Sequence, residues 1–422
     1  MRTFAKLVLL FVVAYNTAWA AAPQFSLQQR IGIGKGDQWE PAVAADNSGH
    51  VYVLYPQYGR VPECNDCSIP TMLLLISNDN GKTWQPARVM LESGSGQFDA
   101  QIAVDPADHH TLFAAWLDNG KREVIVARSS DSGATWTTSV AARGNVELDK
   151  PALAVRGKNV YVAFNHEEEV WLASSQDSGR SFRWGPVNSE SRPGWSLLGS
   201  ATVDPAGNLY LGWASYFKGK DVEDFVALFV SKTSDAGKTW AHRVMSLSTR
   251  APDCKEEECA EAYLGSQIVV ASDSGGTLYA LWNGGHFPQD SQQVYFSTSN
   301  DGGENWSLRD VVSTGGSGVE HAFPAIVAGS QGDVRIGWMD SRNAPYWNTY
   351  YRSSSNGGAT WSDETRVSGY VPGYPYIKNQ GFRFPFGDYF EMAIDNHGDT
   401  HIVWGEGQNY QSPGSIWHAT GR

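Results

Sequence analysis

The chain has few basic residues for its size and no cluster of them. Its 422 residues carry 32 Lys+Arg against 45 Asp+Glu, a formal charge of −13. No Lys/Arg-rich run is present that could release counterions from a phosphate backbone, so nucleic acid is not an expected partner. Beyond the first twenty residues the chain also lacks an apolar run of the ~20 residues a bilayer requires, and no membrane insertion is expected. Cysteine is scarce, with four in all, and at 18% charged and 41% hydrophobic residues the composition is not that of a disordered chain. What is abundant is glycine and aromatic side chains: 44 Gly, 17 Trp and 18 Tyr. That balance of turn formers and bulky strand formers favours an all-β protein over a helical bundle.

Arg2 and Lys6 precede the apolar run Leu7 to Tyr15, followed by Ala18-Trp19-Ala20. This reads as a secretory signal peptide over residues 1–20, leaving residues 21–422 as one domain in a secreted or periplasmic product. The cysteines come as two close pairs, Cys64/Cys67 and Cys254/Cys259. In an oxidising compartment each pair reads as a local disulfide. A four-thiolate metal site, or a redox pair at Cys64/Cys67, are the alternatives.

A short pattern recurs six times. Ser77-Asn78-Asp79-Asn80-Gly81-Lys82-Thr83-Trp84 is followed by copies centred on Asp131, Asp177, Asp235, Asp301 and Asn356. Each keeps Ser or Thr two residues before the centre, Gly two after and an aromatic five after. The steps of 52, 46, 58, 66 and 55 residues are the spacing of propeller blades. The carboxylate can accept N–H groups of its own turn, the glycine supplies a positive φ and the aromatic fills a gap between sheets, so these residues are structural. The pattern resembles the Asp-box (bacterial neuraminidase repeat) β-propellers, the superfamily that contains sialidases, and the resemblance covers nearly the whole chain after the leader.

A second repeat, strand–turn–strand ending in an aromatic, occurs seven times and ends at Tyr55, Trp116, Phe164, Trp213, Trp282, Trp338 and Trp404. The seventh copy has one further strand and no outermost one. Phe25 to Gly32 is the expected substitute, so the chain is expected to form a seven-bladed β-propeller whose ring is closed by its N-terminal strand. A six-bladed ring with an appended hairpin is the alternative, and six is the usual number in sialidases.

Ligands should bind on the face opposite the Asp boxes, where the segments leading into the innermost strands and the loops between second and third strands converge. Those segments supply Trp39, Glu40, Asp99, Asp149-Lys150, Glu320-His321, Asp388, Tyr389 and Glu391, and the loops supply Arg60, Asp340 and Arg342. Such a mixture of carboxylates, guanidinium groups and aromatics suits a glycan or polysaccharide. Asp388 with Glu40 or Glu391 could form the carboxylate pair of a glycoside hydrolase. The strand-end alternative is that Asp388 and Asp340 satisfy backbone N–H groups. His321, His166 and His286 are candidates for proton transfer, but none has a local partner at ligand spacing, so no metal or cofactor is expected.

The resemblance to sialidases implies three arginines holding a carboxylate, a Tyr nucleophile assisted by a Glu, and an Asp acid. Arg60, Arg342 and Arg383, with Tyr389 or Tyr263, are the matching candidates. The family's Arg-Ile-Pro segment is replaced by Arg30-Ile31-Gly32. A lyase using His321, Tyr389 and Arg342 on a uronic-acid polymer, and a non-catalytic glycan- or protein-binding propeller, are the rival expectations. The sequence sets no oligomeric state.

Overall fold

The computed structural model describes residues 22–33, 36–62, 64–188, 195–216, 225–249, 265–287, 290–343, 346–369, 390–406 and 414–422. The expected signal peptide, Cys254, Cys259, Arg383, Asp388 and Tyr389 lie outside them. The described residues contain no helix, and their strands form seven antiparallel sheets. The innermost strands are Ala42–Ala45, Phe98–Val104, Leu148–Arg156, Trp195–Val203, Ile268–Ser272, His321–Ala328 and Phe390–Ile394. Each is followed outward by two or three antiparallel partners, so the ring has seven blades, as the seven-fold strand repeat predicts.

The seventh blade is completed by the N-terminus. Gln29 and Arg30 pair antiparallel with His418 and Trp417 on the strand Ser415–Gly421, and Phe25 bridges Gly421. The chain then crosses to blade 1, where Asp37 and Gln38 pair with Tyr58 and Gln57. On the way Gln38 N donates to Gly414 O (3.2 Å) and Asp37 Oδ1 accepts from Gly414 N (2.8 Å). One segment therefore holds both sides of the joint and supplies the short outermost strand that blade 7 would otherwise lack.

All six Asp boxes have the same internal geometry. In the second, Asp131 accepts from Ser129 Oγ (2.7 Å), Thr135 N (2.9 Å) and Thr135 Oγ1 (2.5 Å), and Gly133 N donates to Ser129 Oγ (2.9 Å). Asn356 does the same work in the sixth box through an amide, accepting from Ser354 Oγ and Thr360 N at 2.9 Å. Gly133, at φ +77°, faces Ile76 and Gly237, at φ +89°, faces Leu172, each on the preceding blade. A larger residue could neither adopt the turn nor leave room for the neighbouring sheet.

The turns between first and second strands carry a second repeated bond. A turn aspartate accepts from a buried tyrosine six residues on: Asp46 from Tyr52 (2.9 Å), Asp204 from Tyr210 (3.0 Å) and Asp273 from Tyr279 (2.7 Å). Between blades the core is apolar and aromatic. Trp116, Trp213, Trp282, Trp338 and Trp404 are fully buried on second strands, where wide side chains fill the wedge that opens as adjacent sheets diverge from the axis.

Blades 4 and 5 approach closely through backbone. A Cβ on Gly199 would collide with Ile268 O, whereas one on Gly185 would meet nothing within 4 Å. Gly199→Ala is therefore expected to cost about 1–3 kcal/mol by overpacking, with Gly185→Ala close to neutral, in denaturant unfolding. Equal costs would show that the two blades are not in contact there.

Candidate functional site: the channel mouth over blades 1 to 3

The seven innermost strands surround an axial cavity of about 760 Å³. About half of its wall is Ala, Val, Leu and Ile, and of its polar side chains Glu391, Gln101 and Ser200 bridge strands that do not pair with one another. Glu391 of blade 7 accepts from Val43 N of blade 1 (3.2 Å) and from Gln101 Nε2 of blade 2 (2.7 Å). Gln101 Oε1 in turn accepts from Leu153 N of blade 3 (3.3 Å), and Ser200 Oγ of blade 4 accepts from Val270 N of blade 5 (2.7 Å). Glu391, expected as catalytic, thus ties blades together with both carboxyl oxygens. Its burial pushes the carboxyl up to about 7 against the lowering effect of these two bonds.

At the mouth opposite the Asp boxes, left-handed non-glycine residues recur on blades 1 to 3, and Phe323 (φ +54°) repeats the feature on blade 6. Glu40 (φ +52°), Asp99 (+56°) and Lys150 (+46°) are non-glycine residues in the left-handed region at the start of three successive innermost strands. The hairpin of blade 2 adds Asn119, Gly120 and Lys121 at +53°, +63° and +62°. Pairing breaks register between Phe98 and Gln101 and between Asp149 and Ala152, so each strand bulges and re-aims a side chain inward. Conformations of this kind cost of order 1 kcal/mol or more each and persist where the surroundings over-determine them, often at functional sites.

The strained segments deliver an ion cluster. Lys121 Nζ lies 3.0 Å from Asp149 Oδ1 and 3.8 Å from Asp99 Oδ2, and stands 5.2 Å from the centre of the Phe98 ring. Glu40 Oε2 accepts from Tyr58 Oη (3.2 Å) and from Asp99 N (3.3 Å). Glu40 and Asp99 are buried, whereas the Lys121 and Asp149 side chains are 30% and 43% exposed, so the cluster opens to solvent on the blade 2–3 side. Burial works against the charged Asp149 carboxyl, but Lys121 and Lys150 more than offset it and hold the group below the usual carboxylate range. Burial likewise works against the Lys121 ammonium, and Asp99, Asp149 and Glu40 more than offset that, keeping it charged.

Of the residues singled out from sequence, Glu40 and Asp99 meet in this cluster. Asp340, Arg342 and His321 come together elsewhere. Asp340 accepts from Trp338 Nε1 (3.0 Å) and Arg342 Nε (2.9 Å), the strand-end role that Glu406 repeats with Trp404 Nε1 (2.8 Å). The Arg342 guanidinium also donates to Glu364 and to Thr314 O (2.7 Å) and stacks 3.8 Å from the Tyr350 ring centre. This braces blade 6 against blade 5, away from the axial cavity. His321 is fully buried, with Nδ1 2.7 Å from Gln292 O and Nε2 3.8 Å from Asp340. Trp39 lies buried against Gly414, and Arg60 is exposed. His166 packs against Trp171 and His286 against Tyr295.

Sequence reasoning placed Asp149 and Lys150 on this rim without choosing them and missed Tyr58 and Lys121. The Asn119-Gly120 pair was the available signal for Lys121, because it forces a left-handed turn whose next residue points back at the mouth. Cys64 and Cys67 form the expected disulfide. On the Asp-box face, Asp395, His397 and Asp399 bring donor atoms within 4.8 Å of one another. Asp395 there accepts from the His397 and Asp399 backbone and from Asn80 Nδ2 (2.6 Å), so these groups build a turn and we read no metal centre in them.

Residues 75–86, the first box, match the family model of the BNR/Asp-box repeat. The chain is a seven-bladed β-propeller that carries Asp-box repeats. No curated protein matches it. Among solved structures, this propeller is similar to a polysaccharide lyase of family PL25, an ulvan lyase, at 12% identity and a TM-score of 0.54 over 92% of this chain and 95% of that one. It is also similar to the Hadza microbial sialidase Hz136 at 16% identity and a TM-score of 0.46, over 91% of this chain and 65% of that one. The propeller thus spans slightly less than two thirds of that sialidase, and identities this low speak for the fold alone.

Lys121 is the cation that lets three carboxylates share the mouth. Lys121→Met is expected to lower stability by about 1–3 kcal/mol at neutral pH, because it removes the cation that bridges Asp99 and Asp149 and leaves Lys150 alone to offset the Asp149 charge. The loss should shrink at pH 4, where protonation relieves the repulsion. A loss independent of pH in urea unfolding would show that packing of the lysine stem matters instead.

Proposed function

We propose that this propeller is a secreted glycan-active enzyme, a sialidase-like glycoside hydrolase acting on a terminal sugar. The observation that carries the reading is the Tyr58–Glu40 hydrogen bond set beside Asp99 at a strained channel mouth. A tyrosine hydroxyl paired with a carboxylate is the nucleophile arrangement that the sialidase resemblance calls for, and a carboxylate makes the phenol a better nucleophile by accepting its proton. Asp388 keeps the role of acid/base by sequence position, two residues before the innermost strand of blade 7, with Tyr389 as the alternative nucleophile. The leader, the Cys64–Cys67 disulfide and the fact that no helix among the described residues is long and apolar enough to cross a membrane are consistent with export.

The cluster also bears on the sugar. Glu40, Asp99 and Asp149 offer carboxylate oxygens for paired hydroxyl bonds, and their charge is only partly balanced by Lys121 and Lys150. With Arg342 engaged in its brace, an acidic sugar would be held by Arg60 and Arg383.

The test is turnover by the purified mature chain on sialosides, neutral aryl glycosides and uronate polymers. Release of a reducing or free sialic sugar supports hydrolysis, an unsaturated uronate product would replace it with the lyase reading, and binding without turnover would make the propeller a recognition module. On the active substrate, Asp388→Asn should abolish turnover and Tyr58→Phe should lower kcat by about 10²–10⁴, each with an unchanged unfolding curve. Full activity in either variant removes that residue from the mechanism.

A further inference from the structure

Blade 3 carries a row of aromatic rings on the face that it turns toward blade 2. Phe164 and His166 stand on its second strand, Asn159–His166, Trp171 on the third, Glu169–Ser175, and Trp184 on the outermost, Arg183–Pro186. Register puts them on one side of the sheet, because Phe164 pairs with Trp171, Ala173 pairs with Trp184, and alternate residues share a face. Phe164 and Ala173 are buried there with Phe113 and Val126 of blade 2. The Trp171 ring centre lies 4.8 Å from that of His166 and 5.2 Å from that of Trp184, and Trp184 stands 6.0 Å from His166.

The row is not sealed at its outer end. Trp184 is 39% exposed, and every other described tryptophan is buried or half-buried. Trp171 is half-buried, and its indole N–H donates to Glu169 Oε2 (3.1 Å), which fixes the plane of the ring. The row is also continuous with the channel mouth. Asp149 pairs with Asn165 and Leu148 with His166, while Leu148 N donates to Lys121 O (2.7 Å). The rings therefore begin one strand outward from the Lys121–Asp149 pair, on the side where that pair meets solvent. Trp184 is three strands outward from Asp149, about 14 Å at the usual strand spacing.

We propose that Trp171 and Trp184, backed by His166, form a sugar-stacking platform on blade 3 that binds an uncharged segment of a glycan as the chain leaves the mouth between blades 2 and 3.

Indole rings held rigidly beside water offer a surface to the C–H face of a sugar, and neighbouring carboxylate and guanidinium groups take its hydroxyls in paired bonds. Both kinds of group are at hand: Glu167 and Glu168, in the hairpin between His166 and Glu169, are exposed, as is Arg183 beside Trp184. With Asp149 and Glu169, the carboxylates outnumber Arg183 and Lys121, so the local field favours uncharged sugar units over uronates or sialic acids. A protein partner would need a patch whose centre is depleted of charge, and a tryptophan pair edged by three successive glutamates does not supply one. The proposal rests on the hydrolase reading only in taking the ligand to be a glycan.

Binding of the full mature chain to an array of neutral and acidic oligosaccharides, followed by titration of the strongest ligand, tests the platform. Neutral oligosaccharides of several units should bind in preference to sialylated or uronate ones. Trp184→Ala should weaken the strongest by about three- to tenfold, and Trp184→Phe should restore most of that loss, each with the parent's unfolding curve. Preference for acidic glycans, no glycan binding at all, or an alanine variant that binds like the parent would overturn the proposal. Should the alanine variant not fold, oxidation of the parent by N-bromosuccinimide decides: a bound glycan that shields Trp184 supports the platform, and equal oxidation with and without it overturns the platform. The outcome is separable from that of the hydrolase reading. A chain that binds through Trp184 and turns nothing over keeps the platform and loses the hydrolase, whereas turnover with binding independent of Trp184 does the reverse.

Discussion

A ring of sheets depends on its closure, because each blade is stabilised laterally by its two neighbours and the first and last have one neighbour only until the chain's ends meet. Here closure is made by backbone pairing of Gln29 and Arg30 with the last strand, which replaces an open edge by an ordinary antiparallel ladder. Between blades there is no ladder. Cohesion comes from buried aromatics such as Trp116 and Trp213 and from Asp-box glycines that let each turn lean on the preceding sheet. The axial wall is held more sparsely still, by single side chains such as Gln101 and Ser200 that satisfy backbone N–H groups the sheets leave unpaired.

The fold was legible because its determinants are local and repeated. From Ser129 to Thr135 a box carries its whole hydrogen-bond pattern within seven residues, so its presence in sequence implies its geometry, and Asn356 shows that the pattern tolerates an amide. The count of seven came from strand repeats that alternate inward and outward residues, and the closing strand from the one blade lacking its outer member. The first two inferences used separations along the chain short enough for the sequence to express them, whereas the closing strand, which pairs Gln29 with His418, was legible from the gap it fills.

The site was legible only in part, because it depends on where strands bulge. Glu40 and Asp99 could be placed on the mouth face, but their meeting requires left-handed backbone at both and a register break after Phe98. Lys121 has no motif of its own. Arg342 and Asp340, two residues apart on one strand, looked like a mouth pair for the same reason that they are a brace. A carboxylate at a strand end beside a tryptophan N–H and an arginine is best satisfied sideways, within its own sheet.

The two carboxylate populations also explain each other. At the mouth, Lys121 and Lys150 hold the Asp149 carboxyl below the usual carboxylate range, and the Lys121–Asp149 pair remains beside water. At the ring joint, Glu391 and Asp37 have amide donors and no cation, and burial favours their protonated forms. The difference is one of place in the ring. Blades 1 to 3 are continuous in sequence, so a hairpin such as Asn119–Lys121 can be positioned to bring a cation to its neighbours. At the joint, segments from the two ends of the chain must find one another, and a neutral carboxyl can donate or accept without a fixed counterion.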